Sequence, residues 1–141
     1  MPPLSNKMAK QLLQKIILKE GIISLYAKLK GSITSRTVKM ALDTGATYTM
    51  IPAEIARDIG CNPEASKKQI EISTASGLIL CPLVTVSAIK SCGLNLKNIE
   101  VICHSLPHES PVEGLLGLNF LLHFPAFIEF YQRIQLPANT D

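Results

Sequence analysis

One aspartate in this sequence stands apart from the other acids. Asp43 follows the strand-like run Val38-Lys39-Met40-Ala41-Leu42 and precedes Thr44-Gly45-Ala46-Thr47. A carboxylate at a strand end, on a tight turn that needs a glycine, can trade a proton where a substrate can reach it. The other two aspartates lack that setting, since Asp58 falls in an expected surface helix and Asp141 is the last residue. Taken alone, Asp43-Thr44-Gly45 is better explained as an Asx-turn between two strands.

Other reactive side chains form no comparable group. His104 and His108 are four apart, but Pro107 between them argues against one helical face and so against a metal pair. No nucleophile-elbow sequence accompanies any histidine, so His104, His108 and His123 read as surface or packed residues. Cys61, Cys81, Cys92 and Cys103 form no Cys-x-x-Cys pair and no zinc spacing. Each lies in or beside an apolar run, which suits reduced thiols in a cytoplasmic protein. No metal site is expected.

The elements that must carry Asp43 are short strands joined by turns. Ile23, Leu25, Ala27 and Leu29 alternate with polar residues, and Val38–Leu42 returns beside them. Residues 53–59 suggest one or two helical turns stopped by Gly60. Ile70–Ser73 and Leu78–Val86 flank a turn at Thr74-Ala75-Ser76-Gly77; a second turn is expected over Cys92–Asn98, then a strand over Ile99–Cys103. A loop from His104 to Glu113 leads to Leu115-Leu116-Gly117 and a short helix over Asn119–His123; residues 126–136 read as a closing strand or hairpin. Met8, Leu12, Leu13, Ile16 and Ile17 lie at helical spacing, which gives an amphipathic helix over 6–20.

Asp43-Thr44-Gly45-Ala46, the small-residue turn Thr74–Gly77 and the later Leu115-Leu116-Gly117 occur in one order and at one spacing. In this the sequence resembles the retropepsin-like (retroviral-type) aspartic proteases, above all their bacterial single-domain relatives. The resemblance covers roughly residues 22 to 136. It implies an all-β acid-protease barrel with one short C-terminal helix, beside the helix suggested at the N-terminus. Residues 1–21 would form an extension, 22–136 the protease domain and 137–141 a tail.

The resemblance implies roles for these residues. Thr74, Ala75, Ser76 and Gly77 would form the tip of a flap that closes over a peptide. Leu115, Leu116 and Gly117 would form the floor threading beneath the catalytic loop. Two carboxylates held close share one proton, because both cannot ionise cheaply, and the pair then works as base and acid on a water and a scissile amide. This chain offers one suitable aspartate, so the pair implies a homodimer in which Asp43 meets Asp43 on a twofold axis. Thr44 would hydrogen-bond across that axis, and Gly45 would allow close backbone approach. Ala46 stands where pepsin-like members carry a hydroxyl that bonds the aspartate, so a less acidic optimum is expected. Thr47 departs from the Asp or Ser common in the family and leaves a substrate contact open. A catalytically silent dimeric peptide-binding or scaffolding module of the same fold is the alternative reading.

Composition agrees with a small folded domain. The 141 residues are 47% apolar and 18% charged, enough for a core and too few for two ordinary domains. The net charge of +3 does not argue for a nucleic-acid binder. The charge is uneven, however: residues 1–40 hold eight Lys/Arg and one acid, the remainder six bases and ten acids. A solvated face is the plain explanation, and contact of 6–20 with a membrane surface is a lesser one. No run is long enough to span a bilayer, and the chemistry needs no cofactor.

Overall fold

The computed structural model describes residues 21–124, together with the backbone of 17–19. Eight strands run in the order β1 Ile17–Lys19, β2 Ile22–Lys30, β3 Ser35–Leu42, β4 Thr49–Ile51, β5 Gln69–Thr74, β6 Gly77–Ser91, β7 Leu94–Cys103 and β8 Gly114–Leu116. Among the described residues two short α-helices, α1 Ala53–Ile59 and α2 Leu118–Leu121, and a single 3-10 turn at Pro63–Ala65 punctuate them. The expected all-β class with one short helix after Gly117 is what the chain adopts.

Alternation builds the inner wall. In β2, Leu25, Ala27 and Leu29 are buried while Tyr26, Lys28 and Lys30 face out, as a period of two requires. Strands β2, β3, β8, β4, β7 and β6 pair in succession, and β6 pairs again with β2, so the sheet closes on itself. Closure is irregular rather than that of a regular barrel. The β2–β6 seam is only Lys28–Lys30 against Ala88–Lys90, and β4 meets β8 only at Met50–Leu115. Leu25, Leu29, Val38, Met40, Ile51, Ile59, Ile89, Leu116 and Phe120 fill the interior. Each large side chain withdrawn from water in this way contributes about 1.5–3 kcal/mol.

Helix α1 buries Ile55, Ala56 and Ile59 against that core and stops at Gly60, whose φ of 96° is left-handed. Strand β5 and the first half of β6 leave the ring as a hairpin, pairing Gln69–Thr74 with Gly77–Pro82. From Leu83 onward β6 runs within the ring against β7.

Several boundaries differ from the sequence reading. Ile17–Lys19 is a strand antiparallel to Ile22–Ser24, not the end of a helix. The edge of β2 offers backbone partners there, and pairing overrides the helical spacing. The rest of the helix expected over 6–20, and the strand or hairpin over 126–136, lie outside the described residues. The turn expected over Cys92–Asn98 shrinks to Cys92-Gly93, with φ of 50° and 79°, so β7 begins at Leu94. Such a two-residue turn with both φ positive suits the twist of a hairpin. Helix α2 begins one residue earlier than expected and ends at Leu121.

Candidate active site

Asp43 leaves the end of β3 half-buried. Its Oδ1 accepts the Gly45 N–H at 2.9 Å, the Asx-turn that the sequence allowed. The loop is fixed from beneath. Asp43 N–H donates to Leu116 O at 3.0 Å, Leu118 N–H to Ala46 O at 2.8 Å and Asn119 N–H to Thr47 O at 3.1 Å. Strand β8 lies parallel to β3, with Ala41 beside Leu115 and Leu42 beside Leu116. Thus the segment after Glu113 threads under the Asp43 loop.

Gly117 is required by space rather than by φ. A Cβ there would sit 2.6 Å from the Tyr48 carbonyl and 2.7 Å from Ala46 O, both backbone atoms that cannot swing aside. A further clamp runs through two residues that sequence reasoning missed. Fully buried Thr49 gives both its N–H (2.8 Å) and its hydroxyl (2.9 Å) to Asn119 Oδ1. The same hydroxyl accepts Gly117 N–H at 3.2 Å, and Asn119 Nδ2 donates to Glu100 O at 2.6 Å. Every polar side-chain atom buried among the described residues has a partner.

Above the loop lies an open groove of about 540 Å³. Asp43, Gly45, Ala46 and Thr47 border it on one side, and Ile70, Ile72 and Thr74 of β5 on the other. Met50, Ile102 and Leu115 give it an apolar base. Of the expected floor, Leu115 lines the groove, whereas Leu116 is fully buried in the ring core. Thr44 is exposed and does not border the groove. Of the expected flap tip, Thr74 borders the groove; Ala75, Ser76 and Gly77 are exposed beyond it. The tip is a turn in which the Thr74 hydroxyl donates to Gly77 O at 2.8 Å and accepts Ser76 N–H at 3.2 Å. Its left-handed step falls on Gly77, at φ 118°.

His104 also lines the groove, with its backbone N–H donating to Ile51 O at 3.0 Å. Sequence reasoning placed it on the surface or in packing. The available signal was its position directly after an apolar strand. Glu71 borders the groove too, but alternation along β5 sends its side chain to the face opposite Ile70 and Ile72. Among the described residues no group of three or more His, Cys, Asp or Glu could hold a metal ion.

The fold has a counterpart among solved structures. A retropepsin-like aspartic protease from Rickettsia conorii superposes with a TM-score of 0.60 at 22% identity, over 78% of this chain and 77% of that one. At that identity the likeness speaks for the fold. The solution structure of the Simian Foamy Virus (mac) protease gives a TM-score of 0.47 at 21% identity, covering 81% of this chain and 98% of that one. No curated protein matches the sequence. The family model for the gag-polyprotein putative aspartyl protease matches residues 29–123. Since that match takes in most of the sequence and carries both Asp43 and the Gly117 segment beneath it, the chain belongs to this aspartyl protease family.

Proposed function

We propose that this chain is an aspartic endopeptidase that acts as a homodimer, with Asp43 of each copy forming the catalytic pair. One observation carries the reading: the groove has a single aspartate, held by a backbone-locked loop and faced by a hairpin. A lone carboxylate cannot be base and acid at once, so a second copy supplies the partner.

In the pair, the ionised Asp43 takes a proton from a water, whose oxygen forms a bond to the scissile carbonyl carbon. The protonated Asp43 gives its proton to the carbonyl oxygen. The tetrahedral intermediate then loses its C–N bond as a proton passes to the amine, leaving acid and amine and the pair again sharing one proton. Ile70, Ile72, Met50, Ile102 and Leu115 favour an extended peptide with apolar side chains. Four free cysteines, three of them buried, suit a reducing compartment, and we place the enzyme in the cytoplasm.

The test is cleavage of a diverse peptide library from pH 4 to 7, read by mass spectrometry at several protein concentrations. Wild type and Glu71→Gln should cleave, with specific activity falling on dilution, and Asp43→Asn should not. Activity lost in Glu71→Gln would point to an acid pair within one chain. Peptide binding that survives Asp43→Asn, with no cleavage by wild type, would make this a binding module.

A further inference from the structure

Four lysines converge on one hollow outside the ring. Lys28 and Lys30 come from β2, Lys90 from β6 and Lys97 from β7, and they line a space of about 410 Å³. It shares no lining residue with the groove at Asp43. Register explains the convergence. One row across the strands reads Ser35, Lys30, Ala88, Lys97, and the next reads Lys28, Lys90, Asn95. Lys28 therefore stands directly opposite Lys90, where Cβ atoms lie about 4.5–5.5 Å apart and like charges destabilise the pairing.

The hollow lies beside an interruption in the sheet. The β6–β7 ladder has no pairing between Ser87 and Asn98, and Asn98 is left-handed at φ 53°. Val86 and Ile89 are both fully buried, so Ser87 and Ala88 fall together between two inward residues. On β7 the facing residues Lys97 and Asn98 are both exposed as well, so the outer face carries two out-facing residues in a row on each strand. Among the described residues no acid lines the hollow. The three ion pairs among the described residues use Arg36, Arg57 and Lys68, none of these four lysines.

We propose that this hollow binds a soluble, compact polyanion carrying two or more phosphate groups. Ammonium groups are compact point charges with three donors each, and Ser35, Ser87 and Asn95 add neutral donors at the rim. Four positive charges around one hollow call for a ligand of several negative charges, more than one carboxylate supplies. The concavity and the volume, within the range of small-ligand sites, favour a compact anion over a long polymer or a flat bilayer. Bound phosphates would also relieve the Lys28–Lys90 repulsion. The basic excess noted in residues 1–40 thus has, at Lys28 and Lys30, a defined place in the fold.

The probe is sodium tripolyphosphate, titrated calorimetrically into the full chain at fixed ionic strength. Saturable binding is expected, weakened at least about ten-fold in Lys28→Gln/Lys90→Gln. That double variant should also be more heat-stable than wild type in low salt without ligand, and the gap should close as tripolyphosphate saturates the wild type. Amide shift mapping on the wild type needs no variant: residues 28–30 and 88–97 should move together. Three results would overturn the proposal. They are unchanged affinity in the double variant, shifts confined to other residues, and binding to anionic vesicles or RNA but not to tripolyphosphate.

Discussion

The floor of the groove and the hairpin above it are held in opposite ways. The Asp43 loop is tied to residues far along the chain, through Leu116, Leu118, Asn119 and buried Thr49. Among the described residues the hairpin tip is tied only to itself, by the Thr74 hydroxyl. One hairpin face, Ile70, Ile72 and Ile79 with buried Cys81, packs on the cluster around Met50 and Ile102. Its other face leaves Leu78 and Leu80 each 67% exposed. In the proposed dimer, a carboxylate that must meet its partner within hydrogen-bond reach needs the first kind of support, because small misplacements are costly in rate. An element that admits and covers a peptide needs the second.

The largest effect separates chemistry from support. Asp43→Asn keeps an Oδ1 acceptor for Gly45 N–H, so thermal unfolding should stay within about 1 kcal/mol of wild type. Cleavage should fall by about 10³-fold or more, because the pair loses its proton transfer. The floor breaks by stability instead. Gly117→Ala drives a methyl into the Tyr48 and Ala46 carbonyls and should cost about 3 kcal/mol in denaturant unfolding. Asn119→Ala strips the partner from the N–H and hydroxyl of buried Thr49 and should cost about 2 kcal/mol.

The hairpin should respond the other way. At Gly77 a Cβ would meet nothing within 4 Å, and the only penalty is its positive φ. Gly77→Ala should therefore cost about 1 kcal/mol, while peptide turnover falls by more than that loss explains, since the tip stiffens. If Gly77→Ala proved as destabilising as Gly117→Ala, floor and hairpin would be one cooperative unit and the contrast would fail.

What the sequence made readable follows the same division. The Asp43 turn is local, closed by a bond two residues long, and so its residue types announce it. The hairpin too is local, and alternation around Thr74–Gly77 marks it. The Thr49–Asn119 clamp spans 70 positions and uses two common polar residues, so only the folded chain brings it out. His104 joins the groove because β7 lies parallel to β4, pairing Cys103 with Ile51, again a long-range fact. Strand β7 came out longer than expected because Cys92 takes a left-handed φ that Asn or Gly would have signalled. At Ile17–Lys19 a local helical spacing lost to an edge that only the sheet creates.

The finest distinction needs no substitution, because cysteines stand in both regions. Cys81 is buried where the hairpin meets its supporting cluster, and Cys103 is buried in the ring. Burial pushes both thiols up, Cys103 to about 12, with the nearby Cys61 adding to it. At pH 8 each is thus protonated and slow to alkylate until it reaches water, where its thiolate forms far more readily. If the hairpin opens by itself, Cys81 should label through that local opening, about ten-fold faster than Cys103, which waits for the ring to unfold. Cys92, half-exposed in its turn, should label before either. Raising the pH should speed labelling at Cys81 and Cys103 without changing their order, because thiolate is favoured at both. Time-resolved alkylation read by mass spectrometry gives the rates. Equal rates at Cys81 and Cys103 would mean that the hairpin opens only with the whole domain, and the contrast between floor and hairpin would fail.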